Sequence, residues 1–132
     1  MSQGNMEVVT RIYTGWEQGD FAVGVSLFDR NVTLVIDPEI PDAGVYIGEE
    51  GVRTYMTRFL DAWDSLTIAA ESFTDVGDTV LVKVQQTGIG SGSGAPVNAS
   101  YFQLWTFRGG KVVRLETVQD EAEALEAVGL RD

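Results

Sequence analysis

Neither cysteine nor histidine occurs among the 132 residues. The first absence removes disulfides, thiolate nucleophiles and Cys-ligated zinc or iron–sulfur centres. The second removes imidazole metal ligands and any Ser-His-Asp triad. Positive charge is scarce as well: 9 Lys and Arg stand against 20 Asp and Glu, a formal net charge of −11. Such a chain is poorly matched to nucleic acid or to an anionic membrane surface, and neither partner is expected. No apolar run reaches the length of a membrane span. The opening stretch MSQGNMEVV lacks the basic-then-apolar pattern of a secretory leader, so the expected location is the cytoplasm.

What remains is ordinary in amount and narrow in kind. With 44% hydrophobic and 22% charged residues, the chain has the composition and length of one globular domain spanning 1–132. The groups left for chemistry are carboxylates, tyrosine and Ser/Thr hydroxyls, amides, a few cations and the backbone. No cofactor and no metal is expected. Asp37, Glu39 and Asp42 share a loop, but Pro38 and Pro41 stiffen it against wrapping a cation. The run GIGSGSG at 88–94 is followed by a β pattern and lacks the Lys-Ser/Thr pair of a phosphate loop, so it reads as a flexible hairpin tip.

Periodicity divides the chain. Met6, Val9, Ile12, Tyr13 and Trp16 recur every three or four residues, predicting a helix over 5–18. Gly19-Asp20 stops it, and Asp20 is placed to cap a second short helix ending near Phe28. NVTLVI at 31–36 reads as a strand, ended by Asp37-Pro38. Val52, Tyr55, Met56, Phe59, Leu60 and Trp63 predict a helix over 49–63, with Glu49 and Glu50 in its first turn. The period then becomes two, predicting strands at 66–75, 78–88, 96–107 and 111–119. Asp120 and Glu123 open a last helix at 121–128. Helices first and strands later argue α+β, with a long curved antiparallel sheet wrapped around aromatic helix faces.

These pieces, in this order, carry a resemblance. VVTRIYTGWEQGDF at 8–21, LFDRNVTLVIDP at 27–38, Tyr46-Ile47-Gly48 before GEEGVRTYM, DVGDTVLV, and YFQLWTFRGGKVVRLETVQD at 101–120 together resemble the SnoaL-like and ketosteroid-isomerase-like group of the nuclear transport factor 2-like superfamily. The resemblance covers nearly the whole chain. It implies a cone-shaped α+β fold with one deep apolar pocket for a small hydrophobic molecule, and a homodimer formed through the sheet.

Residue by residue, the resemblance places Asp37 where ketosteroid isomerases carry their proton-shuttling aspartate. The isomerase tyrosine matches Ile12, with Tyr13 one position away, and the protonated aspartate matches Gln103, whose amide donates a hydrogen bond without any change of charge. The HWD stretch of SnoaL-type cyclases reads Leu115-Glu116-Thr117, so a threonine stands at the base position. The Arg-x-Asp pair of the epoxide-hydrolase branch is replaced by Lys83, Gln85 and Gln86.

Two readings follow. In the first, an isomerase- or cyclase-like enzyme uses Asp37 as general base on a hydrophobic substrate, with Gln103 steadying developing charge. In the second, the same pocket binds a hydrophobic ligand without catalysis, and Asp37 merely ends a strand in an Asx-Pro turn. A third possibility is a structural module with a filled interior. Alternation sets Val97, Ala99, Tyr101, Gln103, Trp105 and Phe107 on one strand face, and Val113, Leu115, Thr117 and Gln119 on another. Family alignment makes these the pocket faces. The expected substrate-binding residues are Tyr13, Trp16, Tyr55, Phe59, Tyr101, Trp105, Leu115, Thr117 and Gln119. Glu116, Arg114 and Lys83 fall on the opposite faces.

Overall fold

The apolar stripe of the N-terminal segment folds as helix α1, Ser2–Glu17, in a computed structural model that describes residues 2–21, 25–40 and 42–129. Val9, Ile12, Tyr13 and Trp16 are all buried beneath it. The helix ends where Gly19 turns left-handed (φ 86°), and the Asp20 and Gly19 N–H groups return to the Gly15 and Trp16 carbonyls. A glycine suits this site because side-chain-bearing residues rarely adopt that left-handed φ.

The expected second helix does not extend from Asp20 to Phe28. Residues 22–24 lie outside the described residues, Val25–Leu27 forms one 3-10 turn, and Phe28 already belongs to a strand.

The elements that follow are β1 (Phe28–Ile36), β2 (Gly44–Ile47), α2 (Gly48–Asp61), β3 (Trp63–Val76), β4 (Thr79–Gly90), β5 (Pro96–Arg108), β6 (Lys111–Val118) and α3 (Glu121–Ala127). The six strands make one sheet in the order β2-β1-β6-β5-β4-β3. It is curved, unclosed and mixed rather than wholly antiparallel, because β1 runs parallel to β6. The chain crosses the whole sheet between these two strands, and that long return permits a parallel pair. Irregularities in register at Ala70/Ser72 and Thr106/Phe107 accompany the bend.

Alternation sorts the side chains between the two faces. Val80, Val82, Val84, Trp105 and Leu115 join the α1 and α2 residues in the main core. Leu81, Phe102, Leu104 and Val118 face the other way and are covered by Ala124, Leu125 and Val128 of the C-terminal region. Asp120 caps α3 by accepting from the Ala122 N–H at 3.0 Å. Among the described residues, no helix is long and apolar enough to cross a membrane.

Three details differ from expectation. β2 has no counterpart among the expected strands; it is a short exposed strand pairing Val45 with Val35. Trp63 is not the last residue of α2 but the first of β3, paired with Gly90. Its ring lies over Gly88, where an added Cβ would come within 2.9 Å of the indole and 2.4 Å of the Ser65 carbonyl. The glycine-rich tip is also shorter than predicted, since β4 runs to Gly90 and the Gly94 N–H returns to the Gly90 carbonyl at 3.0 Å.

The expected outcome for Gly88→Ala is a loss of about 1–3 kcal/mol from forced displacement of β3 and Trp63. Urea unfolding of the two proteins measures it.

Candidate functional site

The concave face of the sheet and the aromatic faces of α1 and α2 meet over only part of their length. They enclose a cavity of about 370 Å³. Trp16 of α1 and Phe21 just beyond it form one wall, with Phe28, Leu34 and Ile36 of β1. Tyr55, Met56 and Phe59 of α2 form another, and the Tyr55 and Phe59 rings stack with centroids 5.9 Å apart. Val97, Ala99, Tyr101 and Gln103 of β5, with Leu115 and Thr117 of β6, make the floor. Gln86 of β4, Gln119, Glu39 and the exposed Asp42 also line it.

Of the residues expected to touch a ligand, Trp16, Tyr55, Phe59, Tyr101, Leu115, Thr117 and Gln119 line the cavity, as does Gln103. Trp105 and Tyr13 do not; α1 lies over that end of β5 and packs both into the core. Their rings sit 5.8 Å apart, nearly perpendicular, and Trp16 adds a third ring 5.8 Å from Trp105. Val113 also leaves the expected face. An irregularity after Thr106 pairs Phe107 with Val112, so Val112 takes the fully buried place. Arg114 and Glu116 lie 3.6 Å apart in a partly exposed ion pair.

Buried polar groups at the floor are joined in a chain. The Trp105 indole N–H donates to the Tyr13 hydroxyl at 3.0 Å. That hydroxyl donates to Gln103 Oε1, and Gln103 Nε2 donates to Thr117 Oγ1 at 3.3 Å. Of the two neighbours Ile12 and Tyr13, it is Tyr13 that reaches Gln103. A second pair stands nearby: the Tyr101 hydroxyl donates to Gln86 Oε1 at 2.7 Å.

Gln86 was passed over as a site residue. Its signal was present in the sequence, because period two sets it in line with Val80, Val82 and Val84, as a polar residue on an apolar face. Trp16 Nε1 is buried without a hydrogen-bond partner among the described residues.

Asp37 is buried, but it is not among the residues that line the cavity. The Ile40 N–H returns to its carbonyl at 2.9 Å, closing a turn around Pro38. Its Oδ1 accepts from the Glu39 N–H at 2.9 Å, and its Oδ2 faces the Gln119 N–H at 3.4 Å. Both carboxylate oxygens are thus turned to backbone donors, one local and one on the strand-to-helix link after β6. Its negative charge is felt on α3: Asp37, more than any other cause, raises the Glu123 carboxyl above its ordinary value.

Burial raises the Tyr13, Tyr55 and Tyr101 hydroxyls well above the ordinary tyrosine range. For Tyr13 the Trp105 hydrogen bond offsets a part of this rise. All three remain protonated at neutral pH, as hydrogen-bond donors rather than bases.

A helix-lined cup of this kind, floored by a bent mixed sheet, is the architecture of nuclear transport factor 2-like proteins. Residues 9–115 match the SnoaL-like domain, and the chain belongs to that family. Comparison with curated proteins finds no match. Among solved structures, a nuclear transport factor 2-like protein of Burkholderia pseudomallei is similar over 95% of this chain and 97% of its own, with 17% identity and a TM-score of 0.79. TerC, crystallised with polyporic acid, is similar over 96% of this chain and 98% of its own, at 22% identity and a TM-score of 0.76. A Catenulispora acidiphila protein with a ketosteroid isomerase-like fold, in complex with trimethylamine, is 18% identical over 95% of this chain and 94% of its own, with a TM-score of 0.71.

Because folding holds the three buried tyrosine protons more tightly than the unfolded chain does, their contribution to stability is complete below the free value of about 10 and is lost as pH rises above it. Denaturant titrations at pH 9 and pH 11 are expected to show lower stability at the higher pH, with a smaller fall in Tyr13→Phe. At neutral pH the same variant, which strands the Trp105 N–H and Gln103 Oε1, is expected to lose about 1–3 kcal/mol.

Proposed function

We propose that this protein binds an uncharged, largely apolar small molecule in the cavity between the sheet and α1/α2. The observation that carries this reading is the distribution of polarity. The walls are aromatic and aliphatic, the buried polar groups at the floor are neutral amides and hydroxyls, and the exposed carboxylates of Glu39 and Asp42 stand at the outer edge. An apolar hollow with a few converging neutral hydrogen-bonding groups suits a flat or alicyclic guest bearing one or two polar atoms. An anionic guest would meet a chain of net charge −11 and no buried cation in that lining. TerC and the Catenulispora protein, each crystallised with a small organic molecule, support small-molecule binding as a use of this fold, without bearing on the guest's charge.

A second reading makes the protein an isomerase- or cyclase-like enzyme with Asp37 as base and Gln103 as a neutral partner for developing negative charge. It is favoured by one observation: the Asp37 carboxylate lies against the backbone of Gln119, which lines the cavity. Its cost is the loss of the two backbone hydrogen bonds before the carboxylate can turn toward a guest. Binding without catalysis needs no such movement and is the better supported of the two. As part of the same proposal, two copies pair through their sheets, so sedimentation equilibrium is expected to give twice the 14.4 kDa chain mass.

A panel of uncharged polycyclic compounds, screened by thermal shift, is expected to raise the melting temperature where carboxylated analogues do not. Asp37→Asn keeps an acceptor for the Glu39 N–H while removing the charge. With the best compound, binding alone predicts a Kd within about twofold of wild type, since the cavity wall is untouched. Conversion of that compound by wild type, abolished in Asp37→Asn, establishes the enzyme instead.

A further inference from the structure

Trp105 does not line the cavity, yet its chemistry fixes what the cavity offers. An indole N–H is a donor and never an acceptor. The Tyr13 oxygen, 3.0 Å away, must therefore accept from it. The Tyr13 hydrogen then needs an acceptor, and among the described residues it has the Gln103 side chain. This requires the Gln103 carbonyl oxygen, not its NH2, to face Tyr13. The NH2 is consequently turned to Thr117, 3.3 Å away, and the Thr117 oxygen is used as an acceptor. Each hydrogen in the chain points the same way, from the core toward the cavity.

The last hydrogen belongs to the Thr117 hydroxyl. Thr117 is 4% exposed, lines the cavity, and donates that hydrogen to no acceptor among the described residues. An amide alone would not settle this, because Gln103 has a donor end and an acceptor end that exchange by a half-turn. The donor-only indole breaks the symmetry.

We infer that Trp105 is a positioning residue that orients the Tyr13–Gln103–Thr117 chain, so that the cavity floor presents the Thr117 hydroxyl as a hydrogen-bond donor and selects guests carrying an acceptor such as a carbonyl oxygen. This deepens the small-molecule reading above and rests on it. It assigns the guest a class: ketones, quinones, esters or amides are preferred, and N–H or O–H donors gain nothing at that point. Replacing Trp105 by a ring without N–H frees the chain to reverse. The Tyr13 hydrogen can then swing to the face of the new ring, Gln103 turns its NH2 to the Tyr13 oxygen and its carbonyl to Thr117, and the Thr117 hydrogen is drawn away, leaving a lone pair toward the cavity.

Three tricyclic probes of one shape separate the possibilities: 9-fluorenone carries an acceptor, carbazole a donor, and fluorene neither. Calorimetric Kd values for wild type are expected to favour fluorenone over fluorene by about three- to tenfold, the range of one net hydrogen bond, with carbazole no tighter than fluorene. Thr117→Val, nearly the same shape, should abolish the fluorenone preference, and Thr117→Ser should keep it. Trp105→Phe should shift the preference from fluorenone toward carbazole. Circular dichroism reports whether this core variant folds; if it does not, Tyr13→Phe severs the same link and should also reduce the fluorenone preference.

Equal binding of fluorenone and fluorene by wild type, or a preference that survives Thr117→Val, overturns the donor assignment while leaving the cavity a ligand site. A fluorenone preference unchanged in whichever of Trp105→Phe and Tyr13→Phe folds overturns the role given to Trp105. If none of the three probes binds up to its solubility limit, the small-molecule reading falls together with the inference.

Discussion

The hydrogen bonds around the Tyr13 hydroxyl tie α1 to the centre of the sheet, and the rest of the site is built on that tie. Tyr13 comes from the helix, Trp105 and Gln103 from β5, and Thr117 from β6. A buried hydroxyl or amide without a partner costs on the order of 1–3 kcal/mol. Joined in one chain, these groups each satisfy another, and the helix is held at one distance and one rotation over the strands. That placement brings Trp16 against Trp105 at 5.8 Å and closes the far end of the sheet with packed rings. The nearer end stays hollow: α2 packs mainly on β1 and β2, and its Tyr55 and Phe59 face Tyr101 and Gln103 of β5 across the cavity.

The same sheet supports two different surfaces through its period of two. Toward the helices, Val80, Val82 and Val84 give way to Gln86, and Trp105 gives way to Gln103 and Tyr101. Each strand thus grades from core into cavity wall along its length. Toward the other side, Leu81, Phe102 and Leu104 make a smaller core closed by α3. Asp37 lies where these regions meet. It ends β1, closes the Pro38 turn and holds the backbone of Gln119 just before α3. Its hydrogen bonds are those of a structural joint.

Much of this was legible in the sequence, for reasons that belong to particular residues. The helical stripe of Val9, Ile12, Tyr13 and Trp16 and the alternation through β3 to β6 are strong periodic signals, and they gave the fold class and most of the cavity wall. The motifs quoted above gave the family. What failed were features decided by tertiary contact. Trp63 continues the stripe of α2, but Gly88 opens a berth for its ring on β4, and the helix ends at Asp61, two residues before its expected end. Val113 follows the alternation until an irregularity hands its place to Val112. The exposed strand β2 has too few buried side chains to show a period. Tyr13 could be assigned to the buried face, but its reach to Gln103 depends on how α1 docks. Gln86 obeys the same alternation, a polar residue continuing the apolar face of Val80, Val82 and Val84.

The account turns on a hollow whose floor hands a hydrogen to its guest, and a crystal structure of the protein soaked with 9-fluorenone tests this most directly. The expected result is density for the tricycle between Tyr55, Phe59 and Trp16, with its carbonyl oxygen within about 3.2 Å of Thr117 Oγ1. A cavity without the tricycle, or a tricycle whose oxygen points to the Glu39 and Asp42 rim, would contradict it.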